Sequence, residues 1–354
     1  MAQVQIGLIV FVQMRNEMDN DGHNLCAASF IWDDHCGFEM TPDAAIGPLL
    51  EPWREAGVNY FSINVCYDRV HWTRCLENIA ALRRRIPLEA PWCRLVTSVA
   101  EIDAARDEGA SAATFDIEGM NALNGRLDLV QVYYDLGVRH MLFAYNRNNL
   151  AGGGCHDDDT GLTDFGRSVV DEMNRVGMVI DCSHSAYKTT MEAMQRSSAP
   201  VIFSHSNALA LADHGRNIRD DQIRACAEGG GVIGINGLSL FLGDKGKARA
   251  ESVARHVAYI ANLVGHEHVG VSLDFDPAIE GEDSTEDRKS ASDVIDEDPE
   301  YWPPEAGYDR PIDFLPLNRL PEVCDELLQM GFTATELAGI LGGNFRRIAE
   351  QVWK

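Results

Sequence analysis

The sequence predicts an α/β protein built as a (β/α)8 barrel, a TIM-like fold in which helices enclose a cylinder of parallel strands. Short apolar segments rich in β-branched residues alternate with longer amphipathic segments over most of the 354 residues. Such alternation is typical of a parallel sheet covered by helices. In addition, polar residues directly follow several apolar segments, and a barrel of this kind carries its functional site at those strand ends.

Nine segments have the apolar character of buried strands, one more than a (β/α)8 barrel requires. We expect strands at 28–33, 58–65, 94–98, 112–117, 139–145, 178–182, 200–204, 231–236 and 268–273. The surplus segment is either 94–98, which is short, or 231–236. An open doubly wound sheet is the alternative, but no Gly-x-Gly-x-x-Gly turn follows the first strand.

The strands and helices place the barrel in one domain at 27–354. Helices are expected at 43–56, 73–85, 163–176, 247–264, 318–330 and 334–352. Residues 1–26 are interpreted as an atypical N-terminal leader, because the apolar run at 7–12 is too short to cross a membrane and no cleavage pattern follows it. An acidic loop is expected at 277–312. It is a lid over the site or a solvated loop, since long loops at this position serve as either.

The overall charge bears on location and partners. The chain has 30 basic and 55 acidic residues, a formal net charge of -25. Such a surface repels phosphate groups, so we expect no nucleic acid and no anionic membrane as a partner. The nine cysteines include no Cys-x-x-Cys pair, which indicates reduced thiols in a cytoplasmic protein. A homodimer is the expected assembly.

Four of the predicted strands end in side chains that can bind metal or carry protons. Glu118, His184, His205 and Asp274 each follow an apolar segment directly. In a barrel these side chains face one bowl, and imidazole and carboxylate groups are ligands that suit zinc. The sequence therefore predicts a metal site at the C-terminal ends of the strands.

A histidine near the first strand completes the candidate site. His35 follows the apolar segment 30–32, whereas its rival His23 follows the polar stretch 15–21. Because only the first of these positions terminates a core strand, we favour His35 as the further metal ligand.

The motifs around these residues resemble the membrane (renal) dipeptidase family of zinc metallopeptidases, which have amidohydrolase-like barrels. The resemblance covers roughly residues 28–352. Its clearest motifs are DIEG (116–119), LGVRH (136–140), GLT (161–163), NRVGM (174–178), DCSH (181–184), IFSHS (202–206), HGRN (214–217) and DFD (274–276). The resemblance implies metal-dependent hydrolysis of the amide bond of dipeptides.

The resemblance also implies metal ligands. Glu118 matches the carboxylate that bridges two zinc ions in the family, and His184 and His205 match the remaining ligands of one zinc. His35 matches the histidine of the family's His-x-Asp pair, but Gly37 stands where the aspartate is expected. We therefore expect one zinc ion and leave a second open. A residue near His35 (Asp33, Asp34 or Cys36) is the alternative ligand for it.

Substrate and catalytic roles follow from the same resemblance. Asp274 matches the general base and proton shuttle, and Arg216 matches the arginine that holds the substrate carboxylate. The family's His-Asn pair is Tyr145-Asn146 here. We expect Tyr145 to stabilise the oxyanion and Asn146 to bind substrate.

These departures leave other functions open. One alternative is hydrolysis of another small carboxylated amide or a lactam. A second alternative is a degenerate barrel that binds without turnover, although binding alone does not require a general base such as Asp274.

Overall fold

The computed structural model describes residues 21–277, 298–309 and 312–354. In this part of the chain one parallel sheet contains β1 (Trp32–Cys36), β2 (Tyr60–Tyr67), β3 (Cys93–Leu95), β4 (Ser111–Glu118), β5 (Val138–Leu142), β6 (Val179–Asp181), β7 (Val201–Phe203), β8 (Val232–Ile235) and β9 (Val269–Val271). Eight of them follow the order β1-β2-β4-β5-β6-β7-β8-β9, and β3 pairs with β4 outside this path. The predicted (β/α)8 barrel is confirmed, and β3 is the surplus strand.

The barrel is nearly closed between its last and first strands. The backbone N–H of Gly37 donates to the carbonyl of Phe275 over 3.1 Å. Asp33 Oδ1 accepts hydrogen bonds from the Ser272 hydroxyl, over 3.1 Å, and from the Leu273 N–H, over 3.3 Å. These contacts hold the end of β1 beside the chain that follows β9, so that all eight strand ends surround one bowl.

Helices cover the outside of the barrel. They are α1 (Gly22–Ala28), α2 (Ile46–Glu55), α3 (Thr73–Glu89), α4 (Val99–Asp107), α5 (Leu129–Asp135), α6 (Asp164–Val176), α7 (Tyr187–Arg196), α8 (Asp220–Glu228), α9 (Ser239–Leu242), α10 (Ala250–Val264), α11 (Leu320–Gln329), α12 (Ala334–Ala338) and α13 (Asn344–Val352). Short 3-10 turns lie at Met120–Leu123, His266–His268, Pro304–Ala306 and Leu317–Arg319, and a π-helical turn, Gly339–Gly343, joins α12 to α13.

The local sequence explains where α6 begins and ends. The Thr163 hydroxyl accepts a hydrogen bond from the Gly166 N–H and so caps the first turn. Val169 and Met173, four residues apart on one face, are fully buried. Gly177 ends the helix at φ 89°, a conformation that glycine adopts without a steric penalty. The chain then enters β6, which leads to His184.

The predicted leader boundary differs from the structure. Residues 1–20 lie outside the described residues, but α1 begins inside the segment assigned to the leader. Asp21 caps α1, and the Gly22 N–H donates to Asp325 of α11 over 2.7 Å. Cys26 is buried against the barrel domain. Residues 21–26 therefore belong to the folded domain, because α1 packs on α11 rather than preceding the domain.

The prediction that all cysteines are reduced is wrong for one pair. Cys66 at the end of β2 and Cys75 in the first turn of α3 form a disulfide with a Cα–Cα distance of 5.0 Å. The pair arises because α3 folds back onto β2, a tertiary arrangement that sequence spacing does not reveal. The remaining seven cysteines are free.

Of the helices that the structure describes, none is long and apolar enough to cross a membrane.

Candidate metal centre and active site

The structure brings the predicted strand-end residues together at one point. Glu118 Oε1 lies 3.3 Å from His184 Nε2, 3.4 Å from His205 Nε2 and 3.7 Å from His35 Nε2. His35 Nε2 also lies 3.4 Å from Asp274 Oδ1. Strands β1, β4, β6, β7 and β9 each deliver one of these side chains. The geometry thus unites the five groups that the sequence selected from separate strands.

The orientation of His184 is set by Asn146. The Asn146 amide nitrogen donates to the carbonyl of Tyr301 over 3.0 Å, so Oδ1 is turned toward His184. That oxygen lies 2.7 Å from His184 Nδ1 and can only accept, so Nδ1 carries the proton. Burial lowers the pKa of His184 well below its ordinary value, and Arg216 lowers it further. The imidazole is therefore neutral, and its Nε2 lone pair points into the bowl.

The orientation of His205 follows from a second chain of hydrogen bonds. The Ser204 hydroxyl donates to the carboxylate of Asp181, and its oxygen lies 2.7 Å from His205 Nδ1. Because the hydroxyl proton is already used, Nδ1 donates to it and Nε2 is unprotonated. Burial lowers the pKa of His205 well below its ordinary value. A second neutral imidazole thus directs its lone pair at the same point as His184.

His35 is held from behind by Asp116. Its Nδ1 lies 3.1 Å from Asp116 Oδ1, and that carboxylate also accepts from the Ser62 hydroxyl over 2.7 Å and from the Asn64 amide over 3.2 Å. Donation from Nδ1 to this carboxylate leaves Nε2 facing Glu118. Carboxylates that orient ligating imidazoles in this way are a regular feature of metal sites.

These side chains fit a metal ion. The Nε2 atoms of His184 and His205 are 2.9 Å apart with lone pairs directed at each other, an arrangement that a cation between them would stabilise. Glu118 Oε1 is buried without a hydrogen-bond partner, and burial raises the pKa of Glu118 to about 8. Ligand atoms of His35, Glu118 and His205 all lie within 4.8 Å of one another. A buried carboxylate oxygen and inward imidazole nitrogens are groups that commonly bind metal ions in proteins.

Beneath the site, His140 connects the carboxylates that support the ligands. Its ring nitrogens lie 3.8 Å from Asp116 Oδ2 and 3.6 Å from Asp181 Oδ2, and Nε2 lies 2.9 Å from the Asp34 carbonyl. Burial lowers the pKa of His140, but Asp34 and Asp116 outweigh it and raise the value to about 9. The resulting imidazolium balances the buried carboxylates behind His35 and His205.

Gly37 is packed tightly against Asp274. A Cβ atom at Gly37 would lie 2.4 Å from the Asp274 carbonyl oxygen and 2.5 Å from its Oδ1. Asp274 itself has φ 55°, and its Oδ2 accepts from the Asn236 amide over 2.8 Å. The space that a side chain at position 37 would need is therefore already filled.

The alternative ligands for a second ion face other partners. Asp33 Oδ2 accepts from the Trp53 indole over 2.7 Å, and Asp34 Oδ1 accepts from the Trp32 indole over 2.6 Å. Cys36 is fully buried. The pocket above Glu118 is not lined by Asp33, Asp34 or Cys36.

Tyr145 lies beside the candidate metal centre. Its ring stacks on His184 with the centroids 4.3 Å apart. Its hydroxyl oxygen accepts a hydrogen bond from the Trp302 indole over 3.1 Å, and its backbone N–H donates to Asp68 over 3.1 Å. Burial raises the pKa of Tyr145 well above its ordinary value, so the phenol keeps its proton.

Asn146 and Arg216 occupy positions that the sequence did not anticipate. Asn146 is wholly buried behind His184 and does not line the pocket. Arg216 is 2% exposed, donates to the His205 carbonyl over 2.9 Å and to the Ser206 hydroxyl over 3.3 Å, and keeps a buried Nε–H without a partner. It lines a second cavity that shares His184 with the main pocket.

Aromatic residues that the sequence reasoning missed form the walls of the main pocket. Trp302 and Tyr308 belong to residues 298–309, a described stretch of the predicted acidic loop, and both line the pocket. Two aromatic residues in a strongly acidic stretch were the signal that could have identified them. The full lining is His35, Gly37, Phe38, Glu39, Asn64, Tyr67, Glu118, Tyr145, His184, Leu238, Phe241, Asp274, Asp276, Trp302, Tyr308, Ile312 and Phe314.

Sequence comparison identifies the family. Residues 54–297 match the family described as Membrane dipeptidase (Peptidase family M19). The chain belongs to the membrane dipeptidase family. The chain is 36% identical over 204 residues to the uncharacterized dipeptidase C965.12 of Schizosaccharomyces pombe. The aligned residues make up 55% of this chain and 48% of that protein. The chain spans 48–63% of the length of curated dipeptidases that it matches.

Solved structures have the same fold. An amidohydrolase from Pseudomonas aeruginosa is 25% identical, with a TM-score of 0.80 over 94% of this chain and 99% of that chain. A metallo peptidase from Rhodobacter sphaeroides, liganded with a phosphinate mimic of the dipeptide L-Ala-D-Ala, has a TM-score of 0.73 at 19% identity, over 92% of this chain and 100% of that chain. The resemblance to the membrane dipeptidase family, which the motifs at the strand ends predicted, is confirmed.

Proposed function

We propose that this protein is a zinc-dependent dipeptidase that hydrolyses the amide bond of dipeptides. The observation that carries the proposal is the convergence of three imidazole nitrogens and one unpartnered carboxylate oxygen at the mouth of the barrel. Membership of the membrane dipeptidase family supports the same activity. So does the dipeptide mimic bound by the solved R. sphaeroides relative.

We assign the metal to Glu118, His184, His205 and His35, and we expect one ion. Nitrogen and carboxylate ligands favour zinc, and zinc in such a site lowers the pKa of a bound water toward about 7 and polarises a carbonyl group. Gly37 offers no carboxylate for a second ion. Its close contact with Asp274 also leaves no room for a side chain at this position.

Asp274 is proposed as the group that moves protons. Its Oδ2 is held by Asn236, whereas its Oδ1 faces the floor of the pocket beside His35. Oδ1 can therefore accept a proton from the attacking water and deliver it to the leaving nitrogen. The left-handed backbone at this residue, φ 55°, is a strained conformation of the kind that recurs at active sites.

Tyr145 is proposed to stabilise the oxyanion. Its hydroxyl oxygen already accepts from Trp302, so its own proton is free to donate to a second group. A neutral phenol beside His184 is placed to donate to the oxygen that becomes negative when water adds to the amide carbon.

Arg216 is proposed to hold the carboxylate end of the substrate. Among the described residues it has no carboxylate within ion-pair distance. Its acidic neighbours in the sequence, Asp213, Asp220 and Asp221, are therefore not its partners. Its unpartnered Nε–H is buried near Glu118 and Asp274, where burial raises the pKa values of both carboxyl groups and the charge of Arg216 partly offsets that rise. We assign Asn146 to positioning His184 rather than to substrate binding.

The assembly and location remain proposals. We retain the homodimer as the expected assembly. We also retain the cytoplasmic location. The Cys66–Cys75 disulfide argues against this location, because disulfides are rare in reducing compartments.

A substrate panel tests the proposed function. Zinc-loaded protein and its Glu118→Gln variant are incubated with dipeptides, N-acyl amino acids and lactams, and amine release is measured. We expect the parent to cleave dipeptides and the variant to cleave none. Cleavage of only N-acyl amino acids or lactams would favour the alternative hydrolase, and no cleavage of any substrate would favour a non-catalytic barrel.

A further inference from the structure

We propose that the pocket contains an aromatic compartment that selects dipeptides with a large apolar residue on the amino side of the scissile bond. We define the aromatic compartment as the wall formed by Phe38, Tyr67, Tyr145 and Trp302. The inference rests on the proposed dipeptidase function and adds the substrate class that the site prefers.

The aromatic compartment opens directly onto the candidate metal centre. Its side chains line the same pocket as His35, Glu118 and Asp274. The Tyr67 and Tyr145 rings meet edge to face with centroids 5.2 Å apart, and the Trp302 ring meets Tyr145 edge to face at 6.1 Å. Edge-to-face contact is the arrangement that aromatic pairs prefer. The wall can therefore accept a further ring from a substrate.

Arg69 fixes Trp302 in this wall. Its Nε donates to the carboxylate of Asp298 over 2.6 Å, and its Nη1 donates to the Tyr67 hydroxyl over 3.0 Å. Its guanidinium carbon lies 5.8 Å from the centre of the Trp302 ring. One side chain at the end of β2 thus anchors both the start of the segment 298–309 and the indole. A wall held in place before substrate arrives loses little entropy on binding.

The strand order places the compartment opposite Arg216. Along the barrel path, β2 is the second strand and β7 the sixth of eight, so their ends face each other across the mouth. Tyr67 ends β2, and Arg216 follows β7. A dipeptide whose carboxylate approaches Arg216 and whose amide lies over Glu118 therefore extends its amino-side residue toward Tyr67 and Trp302.

Other rings pack around His214, near Arg216 in the chain. The His214 ring packs 4.8 Å from Phe241 and 5.4 Å from Tyr308, measured between centroids. Tyr308 also lies 3.1 Å from His156 through its hydroxyl. Phe241 and Tyr308 line the main pocket, and the Arg216 guanidinium carbon lies 5.3 Å from the centre of the Phe241 ring, so we expect the carboxyl-side residue to be small. The size preference should consequently depend on the order of the two residues.

The isomers Phe-Ala and Ala-Phe test this inference. They have the same atoms and charges and differ only in which side of the amide carries the ring. Burial of an aromatic side chain stabilises a complex enough to change kcat/KM by about tenfold or more. We expect the parent protein to prefer Phe-Ala over Ala-Phe by at least about tenfold.

Three variants identify the residue responsible. Trp302→Ala should bring the Phe-Ala to Ala-Phe ratio of kcat/KM close to one, whereas Trp302→Phe retains a ring and should keep the preference. The ratio cancels any common effect of losing the Trp302–Tyr145 hydrogen bond. Trp92→Ala is the matched control, because Trp92 is also half-buried under an arginine, with Arg54 5.8 Å from its ring, but lies beside β3 outside the pocket.

The outcomes separate the inference from the proposed function. A parent that cleaves both isomers equally, or prefers Ala-Phe, overturns the inference while leaving a dipeptidase. Retention of the preference in Trp302→Ala, or its loss in Trp92→Ala, also overturns it. If the zinc-loaded parent cleaves neither isomer nor any dipeptide of the wider panel, the proposed function fails and the inference fails with it.

Discussion

Replacing Asn146 with alanine tests how the structure orients a metal ligand. The change removes the only acceptor that the described residues offer to His184 Nδ1, at 2.7 Å, and the bond that fixes Asn146 itself to Tyr301. His184 is then free to rotate or to exchange its tautomer, so that Nε2 no longer faces Glu118 in every molecule. We expect zinc to bind about 10–100-fold more weakly, as is typical when a partner behind a ligating histidine is lost.

The magnitude follows from the affinity scale and from a matched control. At about 1.4 kcal/mol per tenfold, the expected loss of binding energy is about 1.4–2.8 kcal/mol. Asn146 also has φ 60°, and alanine in that conformation costs about 1–2 kcal/mol of folding stability. Asn124 has φ 47° and lies in an exposed turn. Asn124→Ala therefore reproduces the backbone cost without touching the site.

The assay is competition for zinc with a chelator of known affinity, combined with denaturant unfolding of each variant. Asn146→Asp keeps an acceptor for His184 Nδ1 but loses the amide donor to the Tyr301 carbonyl, so its zinc affinity should lie between those of Asn146→Ala and the parent. Equal zinc affinity in Asn146→Ala, Asn124→Ala and the parent would refute the reasoning, because the carboxamide would then have no influence on the ligand.

Three further predictions concern the ligands and the substrate. Glu118→Gln and His205→Ala should each weaken metal binding by more than the roughly 10–100-fold expected for supporting residues. Metal content after dialysis measures this loss, and a content equal to that of the parent would mean that the site is misassigned. Gly37→Asp should lower the free energy of unfolding by about 1–3 kcal/mol through overpacking against Asp274, and it should gain no second ion. A stable variant with two ions would contradict this. Arg216→Ala should lower kcat/KM for free-acid dipeptides by an amount worth about 2–5 kcal/mol and leave C-terminal amides unaffected. Equal parent rates on acid and amide would refute it.

The convergence of the candidate metal ligands could be predicted because each follows an apolar strand in the sequence. The C-terminal ends of barrel strands meet in space whatever the loops between them do. Glu118, His184 and His205 were therefore assigned without knowledge of helix packing. His35 was chosen over His23 on the same ground. His23 lies in α1, where it is exposed to solvent.

Features that depend on tertiary contacts were beyond the same reasoning. Nothing local distinguishes an asparagine that binds substrate from one that supports a histidine, and Asn146 was assigned to the first role. Trp302 lies in a segment that residues far away in sequence hold in place, since Arg69 donates to Asp298 and Asn146 donates to the Tyr301 carbonyl. The Cys66–Cys75 disulfide likewise depends on how α3 folds back onto β2.

The central claim is that a metal ion at Glu118, His184, His205 and His35 is required for dipeptide hydrolysis. The most direct test is to titrate metal-free protein with zinc while measuring bound metal and the rate of Phe-Ala hydrolysis in the same samples. We predict that the rate rises in proportion to occupancy and stops rising at about one ion per chain. A metal-free protein that already cleaves the dipeptide at the full rate, or a fully occupied protein without activity, would contradict the account.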